Sequence, residues 1–341
     1  MPRFFRVAAA QVGAVNRTDL RSDTLARLIA LLESAASQKV ELVVFPELAF
    51  TTFFPRYAGL DEDQEAFDEW FEEGKITTSR NVAPFFAKAK QLGVSVCIGY
   101  GEKAGDQERY NSCSYVAGSG EEVAKYRKIH LPGTVEPYTH KGAINQLEKR
   151  FFRPGNLGFT NNLQAFRAPG LCRTEERGDP ILGMMICNDR RWAESWRCLG
   201  LQGVELVLCG FNTTNWSPEL FGYPADTPVS VTEPRAVMQH LLVMQAHSYT
   251  NACFSISAAR AGYDDGEFGL IGASAIVDPE GQVVAQSKGV GDELVVADID
   301  LDAVVPPKAR IFDFGLHRRP ECYQRITEQR GVIEPARLDT I

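Results

Sequence analysis

Residues 181–192 read ILGMMICNDRRW, and our prediction of the fold begins from this stretch. Residues 181–186 are an apolar run with the length of a buried strand, and a helical pattern follows at 194–199. Cys187 therefore lies at a strand-to-helix turn. The unpaired N–H groups at a helix N-terminus lower the pKa of a thiol and can donate to an oxyanion, so a nucleophilic role is one interpretation. A buried apolar role is the other.

The same alternation of apolar strands and amphipathic helices extends along the chain. Apolar runs predict strands at residues 7–10, 42–45, 94–100, 112–117, 182–186, 205–208, 254–258 and 273–277. Apolar residues at helical spacing predict helices at 22–38, 80–92 and 234–249. Helices with one apolar face cover sheets from outside, which indicates an α/β fold. We expect one domain over residues 1–300, followed by an extension at 301–341 that packs at a subunit interface.

Three segments stand apart from this alternation. Residues 134–160 and 212–234 are rich in Pro, Gly, Asn and Thr and are predicted to be long loops, which in compact domains are usually functional or disordered. Residues 61–73 contain eight acidic residues, which we interpret as the solvated face of a helix.

Charge and composition exclude several classes of partner. The 36 basic and 44 acidic residues give a net charge of −8, and the basic residues are scattered, so we expect no nucleic acid partner. No apolar run has the length of a signal-peptide core or a membrane span, and we expect a cytoplasmic protein. The eight cysteines lack C-x-x-C pairs and zinc-type histidine spacing, and no dinucleotide motif is present, so we expect no metal and no cofactor.

Two further residues are candidates for catalysis. Glu47 directly follows the apolar run at 42–45, and a carboxylate at the end of a buried strand has its pKa raised by desolvation towards the range of a general base. Capping of the following turn is an equally good interpretation. Lys128 lies in a short basic run at 125–128, for which a solvated surface is the simpler explanation when the run is read alone.

Read together, the three candidates resemble a known family. The segments FPEL at 45–48, YRKIHL at 126–131 and CNDRRW at 187–192 occur in the order and with the spacing typical of the nitrilase, or carbon–nitrogen hydrolase, superfamily. The resemblance extends over about residues 5–300. The stretches ELAFTTFFPR at 47–56 and KIHLPG at 128–133 are most similar to the N-carbamoyl-D-amino-acid amidohydrolase branch.

The resemblance implies a fold and a set of roles. The fold is a four-layer α-β-β-α sandwich, and catalysis needs no metal. Cys187 is the nucleophile, Glu47 the general base, Lys128 the oxyanion stabiliser and Glu148 a second acidic residue that holds Lys128 or the substrate amine. The implied product set is an amino acid, CO2 and ammonia.

The resemblance also implies binding residues and an assembly. Arg190 and Arg191 match arginines that bind a substrate carboxylate, for which the bidentate guanidinium geometry is well suited; structural salt bridges to Glu194 are the other interpretation. Additional substrate-binding residues are expected among the polar positions of the matched segments, namely His130, Asn188, Asn212 and Thr213. Helices beside the nucleophile are expected to join subunits into a homodimer or homotetramer.

The chain departs from the carbamoylase branch at a few positions. Gln146 and Ala273 stand where that branch has histidines, and Thr214 stands where it has proline. Two alternatives to an N-carbamoyl amino acid hydrolase therefore stay open. One is an amidase or nitrilase that acts on another small amide or nitrile, and the other is a non-catalytic relative that serves binding or assembly.

Overall fold

A computed structural model describes residues 3–158 and 161–337 of the chain. In this part of the chain the strands are β1 (Phe4–Gln11), β2 (Leu42–Val44), β3 (Glu72–Glu73), β4 (Ser95–Gly105), β5 (Glu108–Val116), β6 (Glu122–Arg127), β7 (Phe166–Arg167), β8 (Ile181–Ile186), β9 (Leu206–Phe211), β10 (Phe254–Ala259), β11 (Ala261–Asp264), β12 (Phe268–Ile271), β13 (Ala275–Val277), β14 (Val283–Gln286) and β15 (Glu293–Asp300). The helices are α1 (Arg21–Ser37), α2 (Gln64–Asp68), α3 (Ala83–Leu92), α4 (Glu148–Phe151), α5 (Ala193–Gly200), α6 (Pro218–Phe221), α7 (Val229–Asn251), α8 (Val305–Lys308), α9 (Phe314–His317) and α10 (Gln324–Glu328).

Most of the strands belong to two mixed sheets. The first sheet has the order β15-β1-β2-β4-β5-β6, and β3 pairs with β4. The second has the order β14-β13-β10-β9-β8-β7. Parallel pairs form the centre of each sheet, β1-β2-β4 in the first and β8-β9-β10 in the second. Antiparallel strands complete the edges, and the hairpin of β11 and β12 stands apart from both sheets.

Alternating side chains on the central strands explain why the sheets are covered on both faces. On β1, Val7 and Ala9 belong to the core between the two sheets, whereas Ala8 and Ala10 face the core beneath α1 and α3. Because successive side chains point to opposite faces of a strand, both faces must be buried. Helices α5 and α7 cover the second sheet. The predicted α-β-β-α layering is confirmed.

Several boundaries differ from the prediction for physical reasons. The predicted helix at 80–92 begins only at Ala83, next to Pro84, which suits a first turn because it lacks an N–H group. The predicted loop at 212–234 contains α6 and the start of α7. The predicted loop at 134–160 contains α4, and two of its residues lie outside the described residues.

The interpretation of residues 61–73 as a solvated helix face is wrong in part. The segment forms only a short helix, α2, and its last two residues pair with β4 as β3. Glu72 is buried and bonds to Arg21 and Ser79. Asp68 pairs with Arg109 and Lys103. These carboxylates join a surface segment to the first sheet.

Candidate active site

Glu47 lies between the two sheets because glycines on both sides leave room for its backbone. A Cβ atom at Gly99 of β4 would lie 2.7 Å from the Cα of Glu47, and one at Gly210 of β9 would lie 2.7 Å from the carbonyl oxygen of Phe45. No side chain fits at either distance. The two glycines therefore allow the segment after β2 to pass between the sheets, and Glu47 is fully buried there.

Lys128, just after β6, bridges two buried carboxylates. Its Nζ lies 2.6 Å from Glu47 Oε1 and 2.6 Å from Glu148 Oε2, and all three side chains have no solvent exposure. Burial by itself lowers the pKa of Lys128, but its acidic neighbours, Cys187 when it is a thiolate together with Glu148 and Glu47, outweigh burial and raise the pKa above its usual value. The ammonium ion is therefore the stable form of this side chain.

Glu148 lies at the start of α4, where burial disfavours its ionised form. Burial, opposed by Lys128 and assisted by the charge of Glu47, raises its pKa to about 7. Gln146 Nε2 donates a hydrogen bond to Oε1 of Glu148 over 3.0 Å, which favours the carboxylate. Glu148 can thus gain or lose a proton near neutral pH.

Cys187 follows β8 directly and has a backbone angle φ of +47°, in the left-handed region that a non-glycine residue rarely adopts. Its Sγ donates to the carbonyl oxygen of Asn212 over 3.2 Å. The expected lowering of the thiol pKa by a helix N-terminus is wrong for this structure. Burial raises the pKa of Cys187, as does the charge of Glu47, so the resting group is a thiol that needs a base.

Two asparagines hold Glu47 in place. Asn111 of β5 donates to Glu47 Oε1 over 2.7 Å. The backbone N–H of Asn212, directly after β9, donates to Glu47 Oε2 over 3.1 Å, and its Nδ2 donates to the Glu47 carbonyl oxygen over 2.9 Å. Asn212 therefore contacts both Glu47 and Cys187, whereas the sequence predicted only substrate binding for it. Sequence reasoning missed Asn111, because the predicted strand began at residue 112 and the burial of this side chain follows only from the tertiary fold.

The two neighbouring arginines have different surroundings. Arg190 is fully buried and donates to the carbonyl oxygen of Cys187 (2.6 Å), to Thr213 Oγ1 (2.9 Å) and to His240 Nδ1 (3.1 Å). No contact with Glu194 accompanies these bonds in the described residues. Arg190 thereby supports the turn that carries Cys187.

Arg191 instead lines the cavity over Cys187. Its Nη2 atom has no hydrogen-bond partner among the described residues. Burial and, after it, the charge of Arg190 lower its pKa to about 10. A buried guanidinium group beside a like charge is costly unless an anion arrives.

The cavity over Cys187, which we call the catalytic cavity, brings together most of the predicted binding residues. Asn188, Arg191, Asn212 and Thr213 line it. His130 does not: its ring stacks on Trp192 with centroids 5.0 Å apart, and its Nδ1 lies 2.8 Å from Asp189 Oδ1.

Asp189 has a structural role that the sequence did not reveal. It is fully buried and accepts hydrogen bonds from Tyr126 and from the backbone N–H groups of Ile186 and His130. It thereby joins β6 to the turn at Cys187.

In residues 3–158 and 161–337, no group of three or more His, Cys, Asp or Glu side chains is arranged to hold a metal ion. None of the helices described here combines the length and apolar character of a membrane span.

A sequence profile of the carbon–nitrogen hydrolase family matches residues 6–308. The chain belongs to this family. A nitrilase of Pyrococcus abyssi is 30% identical over 298 residues, which cover 86% of this chain and 90% of the relative. An N-carbamoylputrescine amidase of Oryza sativa is 26% identical over 93% of each chain.

Solved structures show the same fold. A carbon–nitrogen hydrolase from Helicobacter pylori superposes with a TM-score of 0.74 at 21% identity, covering 96% of this chain and 99% of the other. A variant amidase from Nesterenkonia superposes with a TM-score of 0.63 at 19% identity, covering 92% of this chain and 97% of the other. That structure carries an acetamide moiety covalently added at its active-site cysteine. Family membership makes this carbon–nitrogen hydrolase an enzyme that acts on C–N bonds.

Proposed function

We propose that the protein hydrolyses an N-carbamoyl amino acid, with the D form preferred, to the free amino acid, CO2 and ammonia. Cys187 is the nucleophile, Glu47 the general base and Lys128 the oxyanion stabiliser. The burial of Glu47, Lys128, Glu148 and Cys187 in one connected cluster supports these roles. The preference for the D form rests on the sequence resemblance alone.

The first half-reaction forms a covalent intermediate. Glu47 removes the thiol proton as Sγ attacks the carbamoyl carbon, and the tetrahedral oxyanion is stabilised by the Lys128 ammonium. The C–N bond to the terminal nitrogen breaks, and Glu47 returns its proton so that ammonia leaves. The product is a thiocarbamate in which the sulfur of Cys187 is bound to the carbonyl carbon.

The second half-reaction restores the enzyme. Glu47 takes a proton from water, whose oxygen attacks the same carbon, and the C–S bond breaks with return of the proton to sulfur. The released carbamic acid loses CO2 to give the amino acid. One carboxylate serves both halves because each half leaves it in the state that the other needs.

The proposed substrate class rests on the surroundings of Arg190 and Arg191. Neither Arg190 nor Arg191 has a carboxylate partner among the described residues. His240, which accepts a hydrogen bond from Arg190, is neutral, because burial and the charges of the two arginines hold its pKa well below the usual value. The catalytic cavity is therefore electropositive where Arg191 borders it. A substrate carboxylate supplies the missing charge, and Arg191, with its free Nη2, is the group that binds it.

The enzyme is further proposed to assemble into homodimers or dimers of dimers. The outer face of α7 exposes Met238, Leu242 and Tyr249, and residues 301–337 continue past it with Phe312 against Tyr249. Such an apolar face beside the nucleophile supports a subunit interface at α7, with the C-terminal extension at its border.

The test is a comparison of charged and neutral substrates. For N-carbamoyl-D-alanine, Arg191→Lys is expected to lower kcat/KM by about ten- to a hundredfold, because lysine keeps the charge but loses the bidentate fork. The corresponding carboxamide is expected to lose little. Arg173→Lys, at an exposed position, is the matched control. Equal loss on both substrates, or faster wild-type turnover of the neutral one, contradicts the proposal.

A second candidate is an amidase or nitrilase acting on another small substrate, which is favoured by the nitrilase and amidase relatives. Measurement of both products separates the two. A carbamoylase releases CO2 together with ammonia, whereas an amidase releases ammonia alone.

A further inference from the structure

His240 is a buried side chain of α7 that the proposed reaction does not use. Its Nδ1 accepts a hydrogen bond from Arg190 Nε over 3.1 Å. Because a guanidinium group only donates, Nδ1 carries no proton and the ring proton is on Nε2. Nε2 lies 3.4 Å from Ser257 Oγ, which donates to the carbonyl oxygen of Ala275 and is left free to accept. With Phe211 stacked on it at 4.2 Å between centroids, the ring is held in one tautomer and one orientation.

The neutral state of His240 leaves the charge of Arg190 intact. Burial and, after it, the charges of Arg190 and Arg191 hold the pKa of His240 well below its usual value. A carboxylate in this place would also accept from the guanidinium, but it would cancel the guanidinium charge. Burial raises the pKa of the Cys187 thiol, and the charge of Arg190, after that of Lys128, works against the increase. A neutral acceptor therefore orients Arg190 without weakening its effect on the thiol.

Arg190 in turn fixes the peptide group that follows Cys187. Its Nη1 donates to the carbonyl oxygen of Cys187 over 2.6 Å. In a trans peptide the C=O and N–H bonds point in opposite directions, so a fixed carbonyl oxygen also fixes the direction of the Asn188 N–H group. Among the residues that the structure describes, this N–H group donates to no backbone acceptor outside its own turn. Asn188 lines the catalytic cavity beside Cys187, where a free donor can meet an anion.

We propose that His240 is a positioning residue: through Arg190 it keeps the Asn188 N–H group directed at the oxyanion of the tetrahedral intermediate. This role rests on the proposed hydrolysis through Cys187. The N–H group and the Lys128 ammonium then share the developing negative charge, and donors that are already oriented stabilise it without reorganisation.

The experiment compares two reactions of the same thiol. Hydrolysis of N-carbamoyl-D-alanine passes through an oxyanion, whereas alkylation of Cys187 by iodoacetamide displaces iodide and forms none. His240→Leu removes the acceptor and keeps a side chain of similar bulk. It is expected to lower kcat by about ten- to a hundredfold with KM nearly unchanged, because the N–H group meets the oxyanion only in the transition state. The rate of alkylation, followed on the Cys187 peptide by mass spectrometry, is expected to change less than about threefold, a separation that a merely structural role would not give.

Two further variants complete the experiment. In His240→Asn the amide oxygen is as many bonds from Cβ as Nδ1 is in histidine, so it can accept from Arg190 Nε, and kcat is expected to recover to within about fivefold of the wild type. His247→Leu, at a half-buried histidine two turns further along α7, is the matched control and keeps both rates within about twofold.

Three results overturn the inference. They are a parallel fall of kcat and alkylation rate in His240→Leu, a kcat of that variant within about threefold of the wild type, and a His240→Asn variant no faster than His240→Leu. If His240→Leu does not fold, His240→Gln takes its place, because its amide lies one bond further from Cβ and misses Arg190 Nε. If the wild type hydrolyses no N-carbamoyl amino acid, the proposed function fails. The role of His240 is then decided by the same comparison with propanamide, whose hydrolysis also passes through an oxyanion.

Discussion

At the scale of single residues, we expect the protonation of Glu148 to influence how the cluster of Glu47, Lys128, Glu148 and Cys187 responds to pH. Burial raises the pKa of Glu148 to about 7, and the hydrogen bond from Gln146 works against the increase. Lys128 and Glu47 are the other charged groups of this cluster. Protonation of Glu148 removes one of the two anions that hold the Lys128 ammonium in position.

Gln146→Met is therefore expected to change the pH profile. Methionine has a similar length but no N–H group, so the pKa of Glu148 rises above about 7 and protonation occurs at higher pH. The acidic limb of kcat/KM against pH should move upwards by about one pH unit, since a hydrogen bond to a carboxylate is worth about 1.5 kcal/mol. Gln107→Met, in an exposed turn, is the control. An acidic limb at the wild-type position in Gln146→Met excludes this role for Gln146.

Sequence motifs identify residues better than they identify side-chain directions. Glu47, Lys128, Glu148 and Cys187 were predicted as one set, and they lie together. Arg190 and Arg191 matched the family equally well, yet only the second lines the catalytic cavity. Their separation follows from the tight turn at Cys187–Arg191, which sequence periodicity cannot describe.

At the scale of elements, an ion-pair network stabilises the edge of the first sheet. Glu102 of β4 is buried and accepts hydrogen bonds from Arg127 and Lys125 of β6 and from Ser112 of β5. Burial raises the pKa of Glu102, but these three partners outweigh it and lower the pKa to about 2 from its ordinary value of 4.5. The network positions β6, and Lys128 directly follows that strand.

Because the pKa of Glu102 is lowered on folding, its ionised form contributes stability above pH 4.5 and loses that contribution as the pH falls towards 2. Glu102→Gln is expected to lower the free energy of unfolding by about 2–3 kcal/mol at pH 7 and by less than half of that at pH 3. Urea unfolding at both pH values provides the measurement, with Glu121→Gln at an exposed position as control. A loss that is equal at both pH values contradicts the ionic origin.

The elements that were hardest to predict are those with little apolar pattern. β6 reads EVAKYR, and its charged residues are used in the Glu102 network rather than in an alternation of polar and apolar faces. The acidic segment at 61–73 likewise depends on partners far away in the sequence. The central strands were predictable because burial on both faces requires an uninterrupted apolar run.

At the scale of the whole molecule, the candidate active site exists only where the two sheets meet. Glu47 and Lys128 follow strands of the first sheet, whereas Cys187 and Asn212 follow strands of the second. The hydrogen bonds from Asn212 to Glu47 cross between the sheets. The packing of the sandwich therefore sets the distance between Glu47 and Cys187, the proposed base and nucleophile.

The central claim is that hydrolysis proceeds through a covalent bond to Cys187. The measurement is an acid quench during turnover of N-carbamoyl-D-phenylalanine, followed by digestion and mass spectrometry of the cysteine peptides. We expect a thiocarbamate mass on the Cys187 peptide in the wild type and in Cys198→Ala, a control at an exposed cysteine. For Cys187→Ala we expect no adduct and a loss of turnover of about a thousandfold or more. Turnover by Cys187→Ala within about tenfold of the wild type, or an adduct on another cysteine, would contradict the covalent role of Cys187.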